Sequence, residues 1–156
     1  MKTLNEAITN HDFFRGMKPE HLALLTDQAK AIQLNAGDVL FHEGEPANQF
    51  YLIRSGEIAL EAHEPANGTT LVQTLHAGDV LGWSWLFPPF VWHFQARAVE
   101  PTNLIILNGA HLLGAAERNH DFGYELMKRV AQVVIRRLQA TRKQILSLQV
   151  ESALEG

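Results

Sequence analysis

The chain has no cysteine among its 156 residues. That absence excludes a disulfide, a thiolate zinc site, a cysteine-held iron–sulfur cluster and a cysteine nucleophile, and with them a thiol-based redox sensor. Long apolar runs are missing too. No stretch reaches the roughly eighteen apolar residues of a membrane helix, and the opening Met-Lys-Thr-Leu-Asn-Glu lacks the apolar core of a secretion signal. A cytoplasmic protein with no membrane association is expected. The histidines, 8 in all, never fall in a His-x-His or His-x-x-x-His spacing, and His42, His63, His76 and His111 are scattered at strand ends or turns. Neither a metal site nor haem nor any other cofactor is expected from such a set. Gly-x-Ser-x-Gly, P-loop and paired-carboxylate motifs are also absent, so no catalytic residue is nominated and no enzymatic activity is expected.

What is present suits one well-buried core: 156 residues, 46% of them hydrophobic, are too few for two ordinary domains. Charge is uneven along the chain. Residues 1–123 carry 7 Lys/Arg against 14 Asp/Glu, whereas residues 124–156 carry 6 against 3, for a net charge of −4. A basic tail can meet nucleic acid. With no nucleic-acid motif beside it, the same charge reads as the solvated face of a helix.

Residues 4–34 read as helix. Leu4 and Ile8 lead to Phe13-Phe14, and Lys18-Pro19-Glu20-His21 offers a second start with proline in the first turn. Leu22, Leu25, Ala29 and Ile32 follow at helical spacing, and Asn35-Ala36-Gly37-Asp38 ends the run. From Gly37 to Leu107 the pattern changes to short strands, at 38–42, 50–54, 57–63, 70–76, 95–99 and 103–107, cut by glycine and proline. Their mixed or alternating polarity suits half-buried antiparallel strands. Pro65-Ala66-Asn67-Gly68 carries the Asn-Gly of a tight hairpin. The fold expected is α+β: an antiparallel jelly roll over residues 37–107, flanked by N-terminal helices and a long C-terminal helix. Its densest stretch is Gly78 to Arg97, which holds all 3 tryptophans and the Pro88-Pro89 pair. Two readings of it are open: a loop folded into the core, where aromatics supply much of the buried area, or a pocket with an aromatic lining.

Gly37-Asp38, followed by Glu43-Gly44-Glu45, Phe50-Tyr51 and Gly56-Glu57, resembles the opening half of a cyclic nucleotide-binding domain. Leu75-His76-Ala77-Gly78-Asp79-Val80-Leu81-Gly82 resembles that family's second Gly-Asp signature, each glycine permitting a corner that a Cβ would strain. The resemblance spans roughly Phe13 to Leu148. It implies a nucleotide-binding-like domain over residues 1–122, with a dimerisation helix at 121–150, and a phosphate-binding cassette that begins at Gly82. In that cassette the family places a glutamate for the ribose hydroxyl directly after the glycine, and an arginine for the cyclic phosphate before a small-residue pair. This chain departs from the pattern, with Trp83 at the glutamate position, Trp92 at the arginine position, and His93 and Phe94 at the small pair. An indole offers one N–H and no charge. Two charge-assisted contacts are thereby lost, each about 1.5–3 kcal/mol, or about two to four decades of affinity together. Ordinary cAMP or cGMP binding is not expected. The degenerate pocket is expected from Gly82, Trp83, Ser84, Trp85, Trp92, His93 and Phe94, with Trp83 and Trp92 facing each other. It is either filled by its own tryptophans or open to a nucleotide-like or aromatic ligand. Arg97-Ala98 imitates an arginine before a small residue, so Arg97 is a further candidate. Pairing with an acidic or carbonyl partner is its other reading.

From Asp121 to about Leu148 the chain reads as helix. Met127, Val130, Val134, Leu138, Thr141, Ile145 and Leu148 form a seam for another helix, which in the resembled family pairs two subunits. Arg129, Arg136 and Lys143 are expected as a solvated basic edge. Transcription factors of the family continue into a helix-turn-helix; with the chain ending at Gly156, no DNA-binding domain is expected. The expected function is a non-enzymatic regulatory module, homodimeric, acting through dimerisation or a protein partner. The alternative is a sensor of a cyclic nucleotide in another pose or of an aromatic small molecule. A jelly-roll metal enzyme is a third, less supported reading.

Overall fold

The computed structural model describes residues 4–66 and 68–155, with backbone only for 152–155. Its elements run α1 (Leu4–Thr9), α2 (Pro19–Thr26), β1 (Lys30–Leu34), β2 (Val39–Phe41), β3 (Gln49–Ser55), β4 (Glu57–Glu64), β5 (Gly68–His76), β6 (Val80–Leu81), β7 (Gln95–Ala98), β8 (Thr102–Asn108), α3 (Gly109–Arg118) and α4 (His120–Glu155). Short 3-10 turns lie at Asp12–Phe14 and Ser84–Leu86. Among the described residues no helix is long and apolar enough to cross a membrane.

Strands β3 and β8 carry unbroken apolar runs, Phe50-Tyr51-Leu52-Ile53 and Leu104-Ile105-Ile106-Leu107. Successive strand residues point to opposite faces, so both faces of these strands need cover. They receive it. Phe50, Leu52, Ile105 and Leu107 pack under a helical layer with Phe14, Leu112, Phe122 and Leu126. Tyr51, Ile53 and Leu104 pack with Phe41, Ile58, Leu60 and Trp92 in a second core between the two antiparallel sheets of the jelly roll. The sheets have orders β1-β8-β3-β6 and β2-β7-β4-β5. The two Gly-Asp corners are the same turn built twice. Gly37 and Gly78 sit at φ 92° and 91°, and the aspartate after each accepts the N–H of Asn35 or His76 at 2.8 Å.

Several expectations are corrected. The helix read through Ile32 ends at Thr26, and Lys30–Leu34 is strand β1, paired with β8 from Lys30↔Ile106 to Leu34↔Thr102. Pairing along the open edge of β8 outweighs the weak helical spacing, and Ile32 turns toward the inter-sheet core instead. Strand β6 and helix α3 lay outside the expected elements. The side chain of Asn108 caps α3 by accepting from the His111 N–H at 2.9 Å, and Asn119 caps α4 from the Phe122 N–H at 3.1 Å. The hairpin reading agrees with the pairing of Glu64 with Gly68; Asn67 lies outside the described residues. Val130 leaves the seam: it is buried against its own domain, with Phe122, Leu126 and Val133. Arg129 leaves the solvated edge. It pairs with Glu125 at 2.7 Å and donates to the carbonyls of Phe13 and Arg15, because carbonyls at the end of a short turn have no intrahelical donor. Arg136 and Lys143 are exposed.

His11 fastens the same N-terminal segment to the jelly roll. Its Nε2–H donates to the Ile53 carbonyl at 3.1 Å while Nδ1 accepts from the Phe13 N–H at 3.2 Å. Both bonds together require the neutral ring. Burial lowers its pKa below 6.5, against the opposing pull of the Ile53 carbonyl, Asp12 and Asp79. The unfolded chain therefore takes up this proton first, and stability falls as pH drops from about 6.5 through the lower folded value. Thermal denaturation between about pH 7.5 and 5 is expected to show that loss, and His11→Gln to reduce it. An unchanged profile in the variant would refute the assignment.

Candidate functional site

Gly82 ends β6 with φ 89°, and a Cβ there would come within 2.9 Å of both the Gln49 carbonyl and the Trp92 ring. Only bare backbone lets that indole approach. Trp92 is held from its own backbone as well, its N–H donating to the Glu45 carbonyl at 3.0 Å and its carbonyl accepting from Gly44 at 2.8 Å. The ring lies flat on Phe41, with centroids 4.0 Å apart and planes 14° from parallel, and Tyr51 leans on it at 6.2 Å. Tyr51 donates to Gln49 Oε1 at 2.8 Å. Burial, helped by the Glu45 charge, pushes its hydroxyl pKa up to about 12. The interior beside Gly82 is thus occupied by stacked rings with no side-chain charge among them.

A cavity of about 280 Å³ remains next to this stack. Gly82, Trp83, Ser84, Trp92, His93 and Phe94 line it, so six of the eight expected pocket residues converge there. Trp83 and Trp92 share the cavity without touching each other's faces: Trp92 stacks on Phe41, and the Trp83 face is covered by Arg137, whose guanidinium carbon is 4.5 Å from the ring centroid.

The other two pocket candidates are elsewhere. Trp85 is 3% exposed in the helical layer, edge-on to Phe50 at 5.8 Å and pressed on Gly109, where a Cβ would come within 2.7 Å. A 3-10 turn advances about 120° per residue, so two steps along it turn Trp85 away from Trp83's side. Arg97 sits on the outer face of β7, across from the inward-facing Ala96 and Ala98. Its Nε and Nη2 donate to the two oxygens of Glu61 at 3.1 and 2.9 Å, with Gln95 adding a bond at 3.1 Å. The Arg97 fork holds the Glu61 carboxyl below its usual range. Strand alternation decides this placement, and the pairing reading of Arg97 is the one the structure shows.

One wall of the cavity comes from α4, through Val134, Arg137, Leu138 and Thr141. Arg137 donates to the Val80 carbonyl, and burial lowers its pKa to about 10 against the attraction of Asp79, which leaves it charged at neutral pH. Sequence reasoning passed over it. Its signal was periodicity: Phe122, Leu126, Val130 and Val133 are the buried stripe of α4, and Arg137 is the next member, four residues on. Among the described residues no group of three or more His, Asp or Glu side chains is arranged to hold a metal ion.

The family model for the cyclic nucleotide-binding domain matches residues 31–119. The chain belongs to the cyclic nucleotide-binding domain family. It is 24% identical over 146 residues, covering 93% of this chain and 63% of the other, to a CRP-like cAMP-activated global transcriptional regulator of Mycobacterium tuberculosis. The chain thus spans less than two thirds of that relative's length. It is 34% identical over 71 residues, 46% of this chain and 21% of the other, to the acetyltransferase Pat of Mycolicibacterium smegmatis. In structure it is similar to a provisionally assigned cyclic nucleotide-binding protein of Geobacter metallireducens, with a TM-score of 0.79, 27% identity, and coverage of 88% and 99% of the two chains. In this member of the family the cassette is aromatic where it turns inward.

Trp92→Ala is expected to cost about 3–5 kcal/mol, the range for removing a buried ring, whereas Phe94→Ala, at a 38% exposed residue, should cost under about 1 kcal/mol. Denaturant unfolding of the two variants measures both. Equal costs would contradict the placement of the Trp92 ring.

Proposed function

We propose that this chain is a cytoplasmic, non-enzymatic regulatory module of the cyclic nucleotide-binding domain family. In this reading it does not hold cAMP or cGMP through the family's glutamate and arginine, and it signals as a homodimer through α4. The observation that carries the proposal is the Trp92 ring, stacked on Phe41 and against Gly82, at the position where the resembled cassette has its phosphate arginine. Trp83 occupies the glutamate position. The Mycobacterium tuberculosis relative is cAMP-activated; in this reading the present chain lacks the glutamate and arginine of the resembled cassette.

The dimer reading is supported by the outer face of α4. Met127, Val134, Leu138, Ile145 and Leu148 are 40–67% exposed, and Thr141 lies on the same face. Val134, Leu138 and Thr141 also line the cavity, so a shift of α4 changes cavity and seam together. A second reading, a sensor of an aromatic small molecule, is favoured by the apolar cavity with Trp83 and Arg137 at its wall.

Calorimetry is expected to show no binding of cAMP or cGMP to the wild type below about 1 mM, in line with the loss of two charge-assisted contacts. Trp83→Glu combined with Trp92→Arg should lower stability by several kcal/mol while strengthening cAMP binding. Micromolar binding by the wild type would return ordinary nucleotide recognition to first place.

Sedimentation equilibrium tests the seam. The wild type should be dimeric at high micromolar concentration, and Leu138→Glu with Ile145→Glu should be monomeric with unchanged circular dichroism. A monomeric wild type, or an unchanged mass in the variant, would sink the dimer.

A further inference from the structure

We propose that the cavity beside Gly82 binds a one- or two-ring aromatic carboxylate, its ring held among the apolar lining and its carboxylate on the guanidinium of Arg137. The proposal rests on the second reading above, that this cavity is a ligand site, and it names the class of ligand.

Among the described residues Arg137 is a charge without a counter-charge in an ion pair. Burying a cation is costly unless it is paired. Arg137 is half-buried, yet among the described residues its guanidinium makes one hydrogen bond, to the Val80 carbonyl, and lies over the face of Trp83. No described ion pair includes it. Asp79 attracts it through space but is not within ion-pair distance. A guanidinium has five N–H donors in a planar fork that matches a carboxylate in two parallel bonds. Most of that capacity is unspent here.

The rest of the wall selects what carries the anion. Phe41, Leu60, Leu81, Trp83, Trp92 and Phe94 give the cavity a largely apolar and aromatic surface, and such a surface takes a flat ring by stacking or edge contact. At about 280 Å³ the cavity is just below the usual range for ligand pockets, roughly 300–1,000 Å³, which suits one or two rings. A ribose would have to lie where Trp83 replaces the carboxylate that receives its hydroxyl, so a nucleotide is the poorer fit. Among the described residues one Lys/Arg side chain, Arg137, meets a largely apolar wall, which selects a ring bearing a single negative charge.

The test is calorimetric titration of the full chain with benzoate, indole-3-acetate and 1-naphthoate, each beside its own carboxamide, which has the same shape and no charge. At least one acid is expected to bind, with its amide weaker by about ten- to a hundredfold, the span of one or two charge-assisted hydrogen bonds. Arg137→Gln should erase the difference between acid and amide, and Arg137→Lys should keep part of it. Arg137 also ties α4 to Val80, so the acid–amide comparison on the wild type carries the test if a variant does not fold. Equal binding of acid and amide overturns the carboxylate assignment and leaves the aromatic-ligand reading standing. Absence of binding by every acid and amide overturns both. Binding of cAMP that depends on Arg137, with the acids inert, overturns the proposal in favour of a nucleotide in another pose.

Discussion

Burial of both faces of β3 and β8 is the constraint on which the rest of the molecule depends. A strand with four consecutive apolar residues has no face to give to water over that span, so it demands a second sheet on one side and a helical layer on the other. The jelly roll supplies the first, with Tyr51, Ile53 and Leu104 turned into it. Helices α1 to α4 supply the second over Phe50, Leu52, Ile105 and Leu107. Two cores lie back to back across one sheet, and the two buried tryptophans, Trp85 and Trp92, are divided between them.

That division explains why the tryptophans, close together in sequence, behave differently. Trp85 joins the helical core, where its indole N–H has no hydrogen-bond partner among the described residues, a cost of about 1–3 kcal/mol offset by the ring area it buries. Trp92 joins the inter-sheet core and stacks on Phe41. Trp83 joins neither fully; it is half-buried at the edge of the cavity, under a guanidinium. The family's binding chemistry puts charge in the cassette itself. Here the stretch from Trp83 to Phe94 contributes rings, and among the described residues the charged side chain at the cavity wall, Arg137, arrives from α4.

Helix α4 therefore carries two apolar stripes in different surroundings. Phe122, Leu126, Val130 and Val133 face the domain, and Arg137 extends that line to the cavity. Met127, Val134, Leu138, Ile145 and Leu148 lie on the outer side, exposed. Val134 and Leu138 border both surfaces, since they also line the cavity.

By itself the sequence determined what local chemistry can determine. Gly37-Asp38 and Gly78-Asp79 announced their corners because a positive φ and an aspartate three residues past a free N–H are properties of a few adjacent residues. The antiparallel strands from Val39 onward, apart from the two-residue β6, and the long C-terminal helix were legible from their own residue patterns. Only the tertiary structure decided the features whose partners lie far along the chain. Lys30–Leu34 is a strand because β8, some seventy residues on, offers it an edge. Arg97 is a surface ion pair because β4 places Glu61 diagonally across from it. Arg129 meets the carbonyls of Phe13 and Arg15, and Arg137 meets Val80 and Trp83. In each case the residue type stated a need, for a hydrogen-bonded edge or for a counter-charge, while the fold chose which distant group would meet it and which guanidinium would be left facing a cavity.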